Sequence, residues 1–290
     1  MTDWGSIPDE HQRIAKNMAS EFGVDGTIHD RDFIYWHERK ISPEHDQAHA
    51  ARSYIQGGRA SAHIIRDWLQ AHRPSREDFS ILDFASGYGR VTRFLNEAMP
   101  AARVCASDIH PDAVDFIRSL GSDAFVSSSV PENFQGPRKF DVIFSISFFT
   151  HMPRSSWGRW LTALVSSLDI NGLLIFTTHG QAIWPLMGRP TLEPDGFFFR
   201  AESEQHDLDV EEYGNTVTSA GFVIGQLAGL PVHVEGLRSP GLGLHDVWFV
   251  RRVEADRLLV LASPEPAVEE RLKLGFREAA AAWWRGVAGA

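Results

Sequence analysis

Residues 82–90 read LDFASGYGR, and they close the short apolar run FSILDFAS over 79–86. A β-type run that ends in glycines and is followed by VTRFLNEA, with Val91, Phe94, Leu95 and Ala98 at helical spacing, is a strand, a turn and a helix. In an open α/β sheet the carboxyl end of such a strand is where ligands bind, because the turn and the first helical residues present unpaired N–H groups. Gly87 and Gly89 let the backbone approach a ligand closely. The unit then repeats. ARVCASDI (102–109) reads as a second strand, and Pro111 with Asp112 opens a helix carrying Val114, Ile117 and Leu120, which Gly121 ends. Asp108 ends that strand 25 positions after Asp83, where a carboxylate can accept from two ribose hydroxyls. An adenosine-type ligand is expected.

Outward from this unit the alternation continues. DAFVS (123–127) is a third strand, and KFDVIFSIS (139–147) is the continuous apolar run of a strand buried on both faces. Pro153 and Ser155 start a helix with Trp157, Trp160, Leu161, Leu164, Val165 and Leu168 on one stripe, closed by Asn171-Gly172. GLLIFTTH (172–179) is a fifth strand. The segment 181–207 that follows is long and rich in Gly, Pro and aromatics; Trp184 and Phe197 to Phe199 either cover an acceptor or pack the loop down. Asp209 with Glu212 predicts a capped helix that stops at Gly221, and 221–229 and 245–252 predict two antiparallel closing strands. The fold expected is α/β: a doubly wound, mostly parallel seven-stranded sheet. Three divisions are expected: a helical and irregular N-terminal extension over 1–58 that could serve as a lid, separated by Gly57-Gly58 from a ligand-binding domain over 59–253, and a helical tail over 254–290.

Composition narrows the partners. The 290 residues carry 28 Lys+Arg against 38 Asp+Glu, a net charge of −10, which argues against a phosphate-binding face and so against nucleic acid. One cysteine, Cys105, supports neither a disulfide framework nor a zinc finger. No apolar stretch approaches a membrane span and no signal segment opens the chain, so a cytoplasmic protein is expected. The oligomeric state is left open. His37, His45, His49, Glu44 and Asp46 lie close in sequence, but thirteen histidines make chance pairs common, and no metal is expected.

The glycine spacing separates candidate ligands. A dinucleotide fingerprint needs Gly or Ala at its third position, and aligning it on Gly87 and Gly89 puts Thr92 there. Asp83-Phe84-Ala85-Ser86-Gly87-Tyr88-Gly89 instead resembles the first motif of the class I S-adenosylmethionine-dependent methyltransferases, with Ala85 at the first glycine. SDIHPDAV resembles the second motif, FDVIFSISFFTHMP the fourth-strand motif and LDINGLLIFTTHG the fifth, so the likeness spans roughly 60–252. It implies S-adenosylmethionine as cofactor, held by Asp83, Ala85, Ser86, Gly87 and Gly89, with Asp108 on the ribose and Ile109 beside the adenine. It also implies Ser128 and Ser129 at the adenine edge, and Ser145 and Ile146 near the methionine portion. His151 and His179 follow the fourth and fifth strands on the rim, where a histidine could take a proton from an acceptor hydroxyl or hold the loops in place. O-methylation of a small polar acceptor such as a sugar is the expectation; a nicotinamide-linked oxidoreductase and a non-catalytic cofactor-binding module are the alternatives.

Overall fold

The computed structural model describes residues 5–43, 45–46, 48–72, 78–203, 205 and 207–254. Three helices come first, α1 (Asp9–Ser20), α2 (Phe33–Ile41) and α3 (His49–His72). The alternating core follows: β1 (Phe79–Phe84), α4 (Thr92–Ala98), β2 (Ala102–Asp108), α5 (Pro111–Ser119), β3 (Asp123–Val126), β4 (Phe140–Ser145), α6 (Arg154–Ser167) and β5 (Leu168–Thr178). The chain then forms a two-stranded antiparallel ribbon of β6 (Phe197–Arg200) and β7 (Asn215–Thr218), the helix α7 (Ala220–Leu227), and the strands β8 (Val232–Leu242) and β9 (His245–Arg252).

The main sheet has seven strands in the order β3-β2-β1-β4-β5-β9-β8. β1 to β5 run parallel, and β9 enters antiparallel to β5 with β8 antiparallel beyond it. The sheet is apolar on both faces because successive side chains alternate sides. Phe79, Ile81, Val142, Leu173 and Phe249 belong to the core shared with α1, α3 and α4; Leu82, Phe84, Ile143, Leu174 and Trp248 belong to the core shared with α6 and α7. The order reverses direction at β1, between β2 and β4, so a crevice opens at the carboxyl ends of those strands. Among the described residues no helix is long and apolar enough to cross a membrane.

Four expectations fail. Gly57 and Gly58 do not end a helix, because α3 runs through both, and the boundary expected after residue 58 falls inside it. Cβ atoms there would collide with the side chain and backbone carbonyl of Arg90, so these glycines serve close packing rather than a break. Most of 221–229 is helical, not extended, since α7 runs to Leu227: the Ser219 hydroxyl caps α7 by accepting from Phe222 N at 3.1 Å. The seventh strand is β8, in the Gly/Pro-rich stretch expected to be a link, and it lies at the sheet edge, where Pro240 is tolerated. The helix expected from Asp209 is a single turn, in which Asp209 O accepts from Glu212 N and Tyr213 N, before the chain enters β7.

Met1–Arg252 forms one compact unit. The 254–290 tail, past Glu254, lies outside the described residues.

Candidate active site

The turn after β1 is built from alternate left-handed residues: Ala85 (φ 57°), Gly87 (φ 55°) and Gly89 (φ 72°). This winding lifts the loop over the end of β2, where Ser86 N donates to Ser107 O at 3.0 Å and Gly87 N donates to Asp108 Oδ2 at 2.8 Å. A Cβ on Gly87 would meet nothing within 4 Å, so space lies open above it. Gly89 instead packs beneath the loop against Ile117.

The loop borders a cleft of about 480 Å³, within the range of small-molecule sites. Asp83, Ala85, Ser86, Gly87, Asp108, Ile109, Ser128, Ser129, Ile146 and His151 all line it. Three expected site residues do not: Gly89, Ser145, which is fully buried with an unpartnered hydroxyl, and His179. The structure adds others. Arg31 to Ile34 and Ser61 bring the N-terminal helices to the lining, Tyr213 and its neighbours from 207–212 form another part of it, and Trp160 lines the cleft while packing on Phe84 and Phe148. Trp184 and Phe197 are not in the lining; Trp184 Nε1 donates to Pro190 O and Phe197 packs on Phe222.

Asp83 is buried and accepts from Thr92 Oγ1 at 2.6 Å. Burial pushes its carboxyl up to about 7, with the neighbouring Asp108 charge adding to the effect. Thr92, at the position a dinucleotide fingerprint reserves for a small residue, is thus committed to fixing this carboxylate. Asp108 takes three donors: Gly87 N on Oδ2, and His110 N and Nδ1 on Oδ1 at 3.0 and 2.9 Å. A carboxylate has about four acceptor sites, so one remains for a ligand, and more if a present donor gives way. These features fit an adenosine-bearing, positively charged cofactor: open space over the glycine turn, a preset carboxylate for a sugar, and a second buried carboxylate with no cationic partner among the described residues.

The rim histidines are both held by the backbone around β7. His151 Nδ1 lies 2.7 Å from Gly214 O, and His179 Nδ1 lies 3.2 Å from Thr216 O. A carbonyl only accepts, so both rings carry their proton on Nδ1. The His151 ring also stacks on Tyr213, centroids 4.4 Å apart. Burial depresses His151 to about 4 and His179 to about 3, the latter also through neighbouring His245 and His151. His151 is therefore neutral at physiological pH, with the Nε2 lone pair left over on a ring that borders the cleft.

Arg93 ties the N-terminal wall to the loop. Buried, it donates to Gly89 O and Tyr88 O on one side, to Asp25 O and Thr27 O on the other, and to the Tyr54 hydroxyl. Tyr54 in turn donates to the buried Asp32 at 2.5 Å. No local pattern marks Arg93, which lies on the buried side of α4 as an apolar residue would. Tyr213 and the wall from 31–34 are equally silent in sequence, since they reach the cleft from segments distant along the chain.

Residues 81–172 match a family described as a methyltransferase domain. A curated relative, the malonyl-[acyl-carrier protein] O-methyltransferase of Acetivibrio thermocellus, is 30% identical over 152 residues, covering 50% of this chain and 51% of that protein. The chain thus spans about half the length of that relative. Two solved structures share the fold. The magnesium protoporphyrin IX methyltransferase of Synechocystis has a TM-score of 0.51 at 14% identity, covering 83% of this chain and 99% of that one. The sugar N-methyltransferase of Streptoalloteichus has a TM-score of 0.50 at 18% identity, covering 70% and 91%.

Proposed function

The chain carries a class I S-adenosylmethionine-dependent methyltransferase domain, and from that premise we propose that it methylates a hydroxyl of a small polar acceptor such as a sugar. The bound cofactor supplies a methyl carbon on a cationic sulfur, open to in-line attack. The chain's own work is to hold both reactants and to manage one proton. Ala85 to Gly87 offer the loop backbone, Asp108 the acceptor for the sugar, Ile109 an apolar contact, and Ser128 and Ser129 hydroxyls at the same end of the cleft. Ile146 and His151 line the same cleft. We assign Gly89 and Ser145 to the support behind that surface, and His179 to holding β7 in place.

The observation that carries the reading is His151, whose Nδ1–H is spent on Gly214 O while Nε2 is left to accept a proton. The polar wall of Ser155, Ser156, Gln205 and Glu212 suits an acceptor rich in hydroxyls. The Acetivibrio relative is itself named an O-methyltransferase, which supports oxygen as the receiving atom. The N-terminal wall from Arg31 to Ile34 makes the extension part of the site, in line with a lid role.

The test is transfer of labelled methyl from S-adenosylmethionine to a panel of polar hydroxyl compounds, with a matching panel of amines. Hydroxyl compounds should be turned over, and His151→Ala should lower kcat by about 100-fold or more while S-adenosylhomocysteine still binds. Turnover of amines alone would remove the oxygen assignment, and an unchanged kcat in the variant would remove the base.

A further inference from the structure

His110 sits between two carboxylates from segments distant along the chain, both of which line the cleft. Its Nδ1 is 2.9 Å from Asp108 Oδ1 and its Nε2 is 3.1 Å from Asp207 Oδ2. Carboxylate oxygens accept, so a ring that serves both must donate from both nitrogens, which only the imidazolium can do. The surroundings favour that form: the hydrogen bond to Asp108, then the charges of Asp108, Asp207 and Asp112, raise the His110 pKa above its ordinary value, while partial burial opposes them. Asp207 opens the turn that also brings Leu208, Asp209, Glu212 and Tyr213 to the cleft.

We propose that His110, anchored by Asp207, is a positioning residue for the carboxylate that grips the cofactor's ribose, so that the acceptor wall tunes cofactor affinity. The inference rests on the methyltransferase reading above. Asp108 is oriented before any ligand arrives, and Asp207 keeps the imidazolium in the plane that does so. The link operates below the His110 pKa and lapses above it, when one nitrogen loses its proton.

The test is calorimetric titration of S-adenosylhomocysteine into the wild-type protein, Asp207→Asn, His110→Asn and the double variant, each confirmed as folded by thermal melting. His110→Asn keeps a short donor beside Asp108 but cannot reach residue 207. At about pH 6, Asp207→Asn should weaken binding roughly five-fold, and should weaken it no further in the His110→Asn background. As the pH is raised, the advantage of the wild-type protein over Asp207→Asn should shrink. Wild-type affinity in Asp207→Asn at the lower pH, or losses that add in the double variant, would overturn the coupling alone. Failure of the wild-type protein to bind S-adenosylhomocysteine would instead overturn the methyltransferase reading, and the coupling with it.

Discussion

Ala85 occupies a left-handed conformation that a Cβ disfavours by about 1–2 kcal/mol. Ser147, across the cleft after β4, does the same at φ 59°, so both non-glycine residues held this way in the lining sit where strand ends meet the ligand space. Replacing Ala85 by Gly relieves the strain but adds unfolded-state freedom worth about 0.4–1 kcal/mol, so the net gain should be about 0.5 kcal/mol in urea denaturation. S-adenosylhomocysteine affinity should stay unchanged, because the loop path is already the one glycine prefers. At this scale the sequence was legible wherever a residue's place at the cleft follows from its neighbours in the chain. Asp83, Gly87 and Asp108 could be located because a strand end and a turn prescribe them. His110, Tyr213 and Arg93 could not, because their roles come from partners on other elements.

Among the elements, β1, β2, β4 and the buried part of β5 were readable because a strand covered on both faces must be apolar throughout. α7 and β8 exchanged identities for a complementary reason. GFVIGQL is too short an apolar run for periodicity to separate strand from helix, and the Ser219 cap decides it. β8 is an edge strand with most of its residues partly or fully exposed, so it carries no such run. The Gly57-Gly58 pair misled for a third reason: its purpose lies in the neighbour it admits, Arg90, whose guanidinium also pairs with Glu38 at 3.2 Å. Propensity alone would make Gly58→Ala stabilising by about 1 kcal/mol. The collision with the Arg90 carbonyl should reverse the sign and leave the variant about 1–3 kcal/mol less stable, measured as a shift in the denaturation midpoint.

For the molecule as a whole, buried histidines set an acid limit. His151 and His179 titrate near 4 and 3 in the folded state, against about 6.5 when unfolded. A group with a depressed folded pKa contributes fully above its unfolded value, so stability should fall as the pH drops from about 6.5 toward 4. Asp83 works in the opposite direction, since its raised pKa favours the fold as the pH falls below about 7. Among these three groups the two histidine shifts outweigh the one carboxyl shift, so they lower stability as the pH falls, seen as a falling Tm across that window. His179→Gln should flatten the slope.

The clamp made by Arg93 reaches further than the crevice it borders. A clone started at Arg59, where the sequence invites a cut, would delete the carbonyls of Asp25 and Thr27 and the Tyr54 phenol, leaving the guanidinium only the carbonyls of Gly89 and Tyr88. It would also begin partway along a helix and remove the share of the core that α1, α2 and the start of α3 contribute. Such a fragment should emerge insoluble, and the smallest foldable unit of this protein therefore reaches back through the helices before residue 59.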